Sequence, residues 1–126
     1  VPGDHRIDRR LHMEVVFTDP PLALLGRTEL QARGAGLPVV SAVERFAETG
    51  RAITMDVQHG VWKLVAHAET GEILGTQILG PRAADLVHVV SAVMHFRGTG
   101  RDLLAMPWYH PTLSEVLLSL ARGVVR

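Results

Sequence analysis

Short apolar runs in the first two-thirds of the chain are separated by polar or turn-forming residues, which predicts β-strands. The runs are Glu14–Thr18, Leu22–Gly26, Pro38–Phe46 and Arg51–Asp56. The clearest signal is a β-hairpin over residues 60–79, in which Gly71 supplies the positive φ that the turn needs. Alternate residues of its first strand, Trp62, Leu64 and Ala66, predict one better-buried face.

Helix starts are predicted by threonines that precede a side-chain acceptor by three residues, a spacing typical of a capping box. The pairs are Thr28 with Gln31, Thr99 with Asp102, and Thr112 with Glu115. The first pair predicts a helix that ends near Gly34 or Gly36, and the second predicts a short helix. The third predicts a helix from Leu113 to about Arg122 with Gly123 as its stop.

A longer helix is predicted from Ala83 to Phe96, and its apolar residues cover most of its circumference. Such a helix is buried on more than one side, so we expect a homodimer that uses this helix and the helix from Leu113 to Arg122. His88 and His95 lie two turns apart on it, which favours packing or hydrogen bonding over a metal site. We predict no metal site.

The order of these elements predicts the fold class. Strands cluster before the long helices, which favours an α+β fold with an antiparallel sheet of about five strands and helices packed on one side. Residues 1–13 lack apolar periodicity and are predicted to be a linker or the tail of a preceding domain, with one domain over residues 14–126.

Composition narrows the possible partners. Thirteen basic residues balance 13 acidic ones, which gives no electrostatic reason to expect nucleic acid or a membrane surface as a partner. The chain has no cysteine and therefore no thiol chemistry of its own. Its 126 residues are too few for two nucleotide-binding domains, and it begins at Val1, so we expect it to be part of a longer chain.

The stretch that offers the most candidate catalytic side chains is His110-Pro111-Thr112-Leu113-Ser114-Glu115. A residue before proline is pushed towards an extended backbone, so the ring of His110 can lie across the first turn of the helix near Glu115. A carboxylate beside an imidazole fixes the ring tautomer and keeps a proton donor or acceptor available near neutral pH. The spacing alone also fits a simpler interpretation, in which Glu115 only caps its helix and His110 is an ordinary loop residue.

This stretch resembles the C-terminal signature of the pyridine nucleotide-disulfide oxidoreductases, flavoproteins that include dihydrolipoamide dehydrogenase and glutathione reductase. Two further segments are similar to the C-terminal dimerisation domain of that family: Val16–Glu29, with its F-T-x-P, glycine and T-E elements, and the hairpin through Gly80. The resemblance covers roughly Val15 to Arg122.

The resemblance implies a function. His110 would be the acid/base, Glu115 would orient it, and the pair would serve the active site of the other subunit of a cytoplasmic homodimer. His110 and Pro111 would contact the cofactor, and the peptide bond between them would be cis. FAD and NAD(P)H would be bound by the FAD- and NAD(P)-binding domains of the longer chain. The 126-residue chain has no G-x-G-x-x-G after a strand, so we expect it to bind no cofactor and to have no redox turnover alone.

Other interpretations stay open at this point. Trp108 stands where dihydrolipoamide dehydrogenases usually carry a second histidine, which argues against lipoamide as the substrate. The domain could be a purely structural homodimerisation module in which His110 has no chemistry. It could also be an independent hydrolase that uses His110 with Ser114 or Ser119, although the chain lacks a nucleophile elbow.

Overall fold

The computed structural model describes Gly3 and residues 6–125, and within them five strands form one fully antiparallel sheet in the order β1-β2-β5-β4-β3. The strands are β1 (Met13–Val16), β2 (Leu22–Gly26), β3 (Val39–Arg45), β4 (Val61–His67) and β5 (Ile73–Leu79). The α-helices are α1 (Glu29–Gly34), α2 (Gly50–Thr54), α3 (Ala83–His95), α4 (Gly100–Ala105) and α5 (Val116–Val124). Single turns of 3-10 helix lie at Arg9–Leu11, Phe46–Glu48 and Leu113–Glu115.

The predicted hairpin is confirmed as β4 and β5, which occupy the middle of the sheet. Gly71 has a φ of 76°, as its turn requires. Trp62, Leu64 and Ala66 are fully buried on one face, as their alternation predicts.

Helices α3 and α5 pack on that face and enclose the main core. Trp62 and Phe46 are its largest fully buried side chains, and their rings stack with centroids 6.1 Å apart. The indole N–H of Trp62 donates to the hydroxyl of Thr76 at 2.8 Å, and that hydroxyl donates to the carbonyl of Lys63 at 2.7 Å. Thr76 is fully buried, and these two hydrogen bonds satisfy its hydroxyl within the sheet.

The short helix α1 lies on the opposite face of the sheet, where Ala32 packs with Val39 and Val65 in a separate small cluster. Because side chains alternate along a strand, Val65 points away from Leu64 and faces α1. The predicted α+β fold with a five-stranded antiparallel sheet is confirmed, with both long helices on one side.

One predicted strand is wrong. Residues 51–56 form helix α2 and its end rather than an extended segment. Ala52 is the only fully buried residue of α2, while Ile53 is 63% exposed, so the β-branched residues have no sheet to pack against. The backbone reverses at Asp56, which has a φ of 55° and joins α2 to the loop before β4. Tertiary packing of one alanine has overridden the local β propensity.

The predicted helix stop at Gly123 is also wrong, because α5 continues through Gly123 to Val124. A Cβ atom added at Gly123 would lie 2.6 Å from the Cβ of Ala42 on β3. The glycine therefore permits close packing of α5 on the sheet instead of ending the helix. The predicted helix starts at Thr28, Thr99 and Thr112 are confirmed, each with a capping box.

The predicted linker, residues 1–13, falls partly outside the described residues, which omit 1, 2, 4 and 5. Its later part contacts the domain, since Leu11 packs against the core and Arg10 donates to the carbonyl of Met94. The domain boundary between residues 13 and 14 stays a prediction. Among the described helices, none has the length and apolar character needed to cross a membrane.

Glu29 links α1 to the sheet through charge. Its carboxylate accepts from Lys63 at 2.6 Å, from Arg33 at 2.7 Å and from the hydroxyl of Ser41 at 2.8 Å. Hydrogen bonds from Lys63, Arg33 and Ser41 lower the pKa of Glu29 from 4.5 to about 2.

We predict an acid-dependent contribution of Glu29 to stability. Because the pKa is lower in the folded chain than in the unfolded one, the contribution is present above about pH 4.5 and is lost as the pH falls towards 2. Glu29→Gln should therefore lower the melting temperature at pH 7 and lower it by much less at pH 2.5. Glu69→Gln, on the exposed β4–β5 loop, is the matched control. An equal effect of Glu29→Gln at both pH values would contradict the assignment.

Candidate acid/base site

His110 lies in the loop between α4 and α5, two residues before Thr112, the capping threonine of the last helical segment. The peptide bond between His110 and Pro111 is cis, as predicted, and a second cis bond, which the sequence analysis missed, joins Asp19 to Pro20. The hydroxyl of Thr112 donates to the carbonyl of Tyr109 at 2.9 Å and closes the turn.

Glu115 performs both functions that the sequence allowed. One of its oxygens accepts from the backbone N–H of Thr112 at 2.8 Å, which is the capping contact. Both of its oxygens also lie 3.1 Å from Nδ1 of His110. The cap and the imidazole contact are therefore made by one carboxylate, which is itself fixed by the start of the helix.

The two side chains differ in exposure. Glu115 is 22% exposed, whereas His110 is 76% exposed, so the carboxylate is set into the domain and the ring stands out from it. A carboxylate on Nδ1 favours the tautomer with the proton on that nitrogen, which leaves Nε2 as the free proton acceptor. The arrangement can exchange protons with a group brought in from outside.

The whole architecture around this loop matches one known family. A family model described as the pyridine nucleotide-disulphide oxidoreductase dimerisation domain matches residues 13–121. The chain belongs to this family. It spans about a quarter of the length of the curated relatives that it matches.

Two such relatives are dihydrolipoyl dehydrogenases. The protein from Bacillus subtilis is 37% identical over 111 residues, which cover 88% of this chain and 24% of the relative. Dihydrolipoyl dehydrogenase 3 from Haloarcula marismortui is 32% identical over 117 residues, which cover 93% of this chain and 24% of the relative.

Two solved structures have the same fold. The HOCl-induced flavoprotein disulfide reductase RclA from Escherichia coli superposes with a TM-score of 0.90 at 30% identity, over 98% of this chain and 29% of its own. LpdA from Mycobacterium tuberculosis superposes with a TM-score of 0.91 over 98% of this chain and 27% of its own, and at 22% identity the likeness concerns the fold alone.

A small open cavity of about 260 Å³ lies beside His110 in the dimerisation domain. Its lining includes Glu44, Glu48 and Glu115, with Arg122 from α5. Within the described part of the chain, no three side chains of the metal-binding types are grouped to hold an ion. The cavity is a mainly acidic recess next to an exposed imidazole.

Gly50 is a neighbour of His110 that the sequence did not reveal. A Cβ atom at Gly50, the first residue of α2, would lie 3.6 Å from Cε1 of the ring. These residues are 60 positions apart, so only the packing of α2 beside the motif brings them together. No local signal could have identified this contact.

The remaining candidate residues lie elsewhere. His88 and His95 are exposed on α3 rather than packed inside, although the ring of His95 contacts the edge of Phe96. Ser114 pairs with the hydroxyl of Thr112 at 3.1 Å and not with His110, which disfavours a hydrolase. The indole N–H of Trp108 donates to the carbonyl of Leu103 at 2.9 Å, so this side chain anchors the loop.

Proposed function

We propose that the dimerisation domain forms a homodimer and supplies His110, oriented by Glu115, as the acid/base of the partner subunit's active site in an FAD-dependent, NAD(P)H-linked disulfide reductase. The observation that carries the proposal is the combination of a fixed orientation and high exposure in the imidazole of His110. Its Nδ1 is held by a half-buried carboxylate while the ring stays 76% exposed. The exposed pair of His12 and Glu14 differs, because Glu14 is itself 60% exposed, whereas Glu115 is held in place by the start of the helix.

The proposed chemistry is proton transfer at Nε2. In thiol–disulfide exchange a thiol must lose its proton before its sulfur attacks, and the sulfur that leaves must gain one. Nε2 of His110 takes the first proton and returns it to the departing thiolate, while Glu115 stabilises the doubly protonated ring in between. His110 therefore accepts one proton and returns one proton, and it takes no part in the electron transfer.

Flavin would supply the electron transfer between the nicotinamide and the disulfide. The residues around His110 could contact the edge of a flavin, but they do not form a cleft that would enclose one. The cavity beside His110 holds about 260 Å³ and is lined by Glu44 and Glu48, which would repel a pyrophosphate. His110 and the exposed Pro111 would meet the cofactor from the side, while the FAD- and NAD(P)-binding domains of the longer chain hold it.

The substrate of the longer protein is proposed only as a disulfide. Several relatives are named dihydrolipoyl dehydrogenases, and RclA is named a disulfide reductase. Trp108 donates its only N–H to a backbone carbonyl and cannot replace an imidazole as a proton acceptor. We therefore propose a disulfide other than lipoamide.

Self-association is proposed through the outer surface of α3, with α5 in a smaller part. The outward side of α3 is exposed, whereas α5 is largely buried against β3 and β4 and exposes mainly Arg122 and Gly123. The match to a dimerisation-domain family supports self-association.

A mixed dimer tests donation between subunits. A chain with His110→Ala is paired with a second chain that keeps His110 but is inactivated in its flavin-binding part. If His110 serves the partner subunit, one complete site forms per dimer and turnover recovers to about half of the wild-type value. If His110 serves its own subunit, the mixed dimer stays as inactive as the variant inactivated in its flavin-binding part. If His110 has only a structural role, the dimer made of two His110→Ala chains is itself as active as the wild type.

In the matched control, the first chain carries His12→Ala instead of His110→Ala. His12 is also exposed and also pairs with a carboxylate, Glu14, at 2.7 Å, but it lies far along the chain from the motif. The mixed dimer that carries His12→Ala should keep half of the turnover with either direction of donation.

A further inference from the structure

A second cavity, of about 560 Å³, lies at the far end of the sheet from His110 and is about twice the size of the cavity beside that ring. His67, the last residue of β4, lines it, whereas Glu44 in the cavity beside His110 pairs with Trp62 near the start of β4. Along an extended strand these two positions of β4 are roughly 16 Å apart. The second cavity is therefore distinct from the proposed acid/base site.

Arginine side chains dominate the lining of this second cavity. They come from three separate segments of the chain, namely Arg9 and Arg10 before β1, Arg27 after β2 and Arg97 after α3. Among the described residues that line the cavity, only Glu72 has a carboxylate. The chain as a whole has 13 basic and 13 acidic residues, so folding gathers positive charge here that the composition does not reveal.

The carboxylates near this cavity are already paired. Glu72 accepts from Arg97 at 3.1 Å and lies 3.9 Å from Arg10. Arg10 also pairs with Asp8 at 2.9 Å. These two carboxylates therefore balance the charges of Arg10 and Arg97 and leave the other two arginines of the lining without compensation.

Arg9 and Arg27 are the two arginines available to a ligand. Both are exposed, and within the described part of the chain no carboxylate oxygen lies within 4 Å of either guanidinium group. A guanidinium group offers parallel N–H donors that match two oxygens of a phosphate or a carboxylate. Two such groups in the lining of one cavity favour a ligand with more than one negative charge.

Two neutral side chains of the lining also have donors to offer. The amide oxygen of Gln31 accepts from the backbone N–H of Thr28 at 3.0 Å in the capping box, which leaves its NH₂ group to donate. Nδ1 of His67 accepts from the backbone N–H groups of Glu69 at 3.3 Å and Thr70 at 3.2 Å, so the proton of the neutral ring is on Nε2. Because both acceptors are already used, the groups left to the cavity are donors, as an anion requires.

The rest of the lining is engaged or apolar. His12 lies 2.7 Å from the carboxylate of Glu14, so its Nε2 is occupied outside the set of free donors. Leu37 and Leu74 are half-buried and add apolar surface. The cavity therefore combines a positive rim with a partly apolar lining, which suits a small organic anion as well as an inorganic one.

We propose that this cavity binds a small anion with two or more negative charges, carried on phosphate or carboxylate groups, between Arg9 and Arg27. Gln31 and His67 donate hydrogen bonds to the same anion. The site lies outside the motif around His110, and the inference does not depend on the proposed acid/base role.

Titration of the chain with inorganic pyrophosphate tests the site. Calorimetry at an ionic strength held constant with sodium chloride measures the dissociation constant and the stoichiometry, and we expect saturable binding of one pyrophosphate per chain. Citrate should compete for the same site, and the tighter of the two anions shows whether the site prefers phosphate or carboxylate groups. Heat that does not saturate, or that sodium chloride alone reproduces, would overturn the inference, since it would show only general screening of charge.

Three variants assign the bound anion to this cavity. Arg9→Gln, Arg27→Gln and Gln31→Glu each lower the net charge by one unit, and Gln31→Glu keeps an acceptor for the N–H of Thr28, so the helix start should survive. Each should raise the dissociation constant for pyrophosphate about tenfold, because each removes a donor or places a negative charge beside the ligand. Arg45→Gln is the matched control, since Arg45 is exposed on β3, lines a different cavity and gives the same change of charge. It should change the dissociation constant less than about twofold.

Two results with the variants would also overturn the inference. Equal weakening by Arg45→Gln and by the three cavity variants would show that net charge alone attracts the anion. Unchanged binding in Arg9→Gln and Arg27→Gln, with both chains folded in thermal unfolding, would place the anion elsewhere. Neither result involves turnover, so the failure of this site would leave the proposed acid/base role as it stands.

Discussion

Replacing His110 with alanine is expected to lower turnover of the proposed reductase by roughly 10²-fold or more while flavin stays bound. The loss has a direct cause, since the variant removes the imidazole while two side chains close to it are already engaged: Ser114 pairs with Thr112, and Trp108 donates to the carbonyl of Leu103. The measurement is steady-state turnover together with the flavin absorbance of the purified protein.

A companion variant separates orientation from capping. Glu115→Gln keeps a side chain that can accept from the N–H of Thr112, so the helix start should survive. It removes the negative charge beside Nδ1 of His110, and we expect a loss of about tenfold, intermediate between wild type and His110→Ala.

His12→Ala supplies the control, since it removes an exposed histidine paired with an acid outside the motif. Its turnover should equal that of the wild type. Unimpaired turnover of His110→Ala would contradict the acid/base role and leave the structural homodimerisation module as the better interpretation.

Replacing Gly75 with alanine is expected to cost about 3 kcal/mol of folding free energy or more, the largest effect on stability that we predict. Gly75 lies on β5 opposite Gly26 on β2. A Cβ there would collide with the carbonyl oxygen of Arg27, and would lie 2.7 Å from the amide nitrogen of Arg27 and 2.8 Å from the carbonyl of Leu25. All three contacts are with backbone, which cannot move aside as a side chain can.

The expected result is a fall in melting temperature of about 10 °C or more, measured by thermal unfolding. Gly34→Ala is the matched control, because Gly34 ends α1 and a Cβ there would meet nothing within 4 Å. It should be neutral or slightly stabilising. A melting temperature of Gly75→Ala within 2 °C of the wild type would show that β2 and β5 can separate locally without loss of stability.

The local elements were predictable because their signals lie within a few residues of each other. A capping box needs only a threonine and an acceptor three positions later, and all three predicted helix starts are present. The hairpin was predictable from alternation and a glycine turn. Glu115 lies only three residues after Thr112 and five after His110, so neighbours along the chain determine both the helix cap and the position of the imidazole.

The errors occurred where a distant segment decides the conformation. Residues 51–56 have extended propensity, yet they form a helical turn, in which Ala52 is buried in the main core with residues that are far apart in sequence. Gly123 looked like a helix stop, and only its closeness to Ala42 shows why a glycine is needed inside α5.

The sequence by itself determined the strands of the hairpin, the capped helix starts and the His-Pro-Thr-Leu-Ser-Glu motif, since each depends on neighbours along the chain. Only the tertiary structure decided that Gly50 lies against the ring of His110, that this ring is exposed while Glu115 is set into the domain, and which stripe of α3 faces outward. The physical reason is that burial and close approach arise between elements, and a helix that is apolar nearly all round cannot indicate which side its own core will cover.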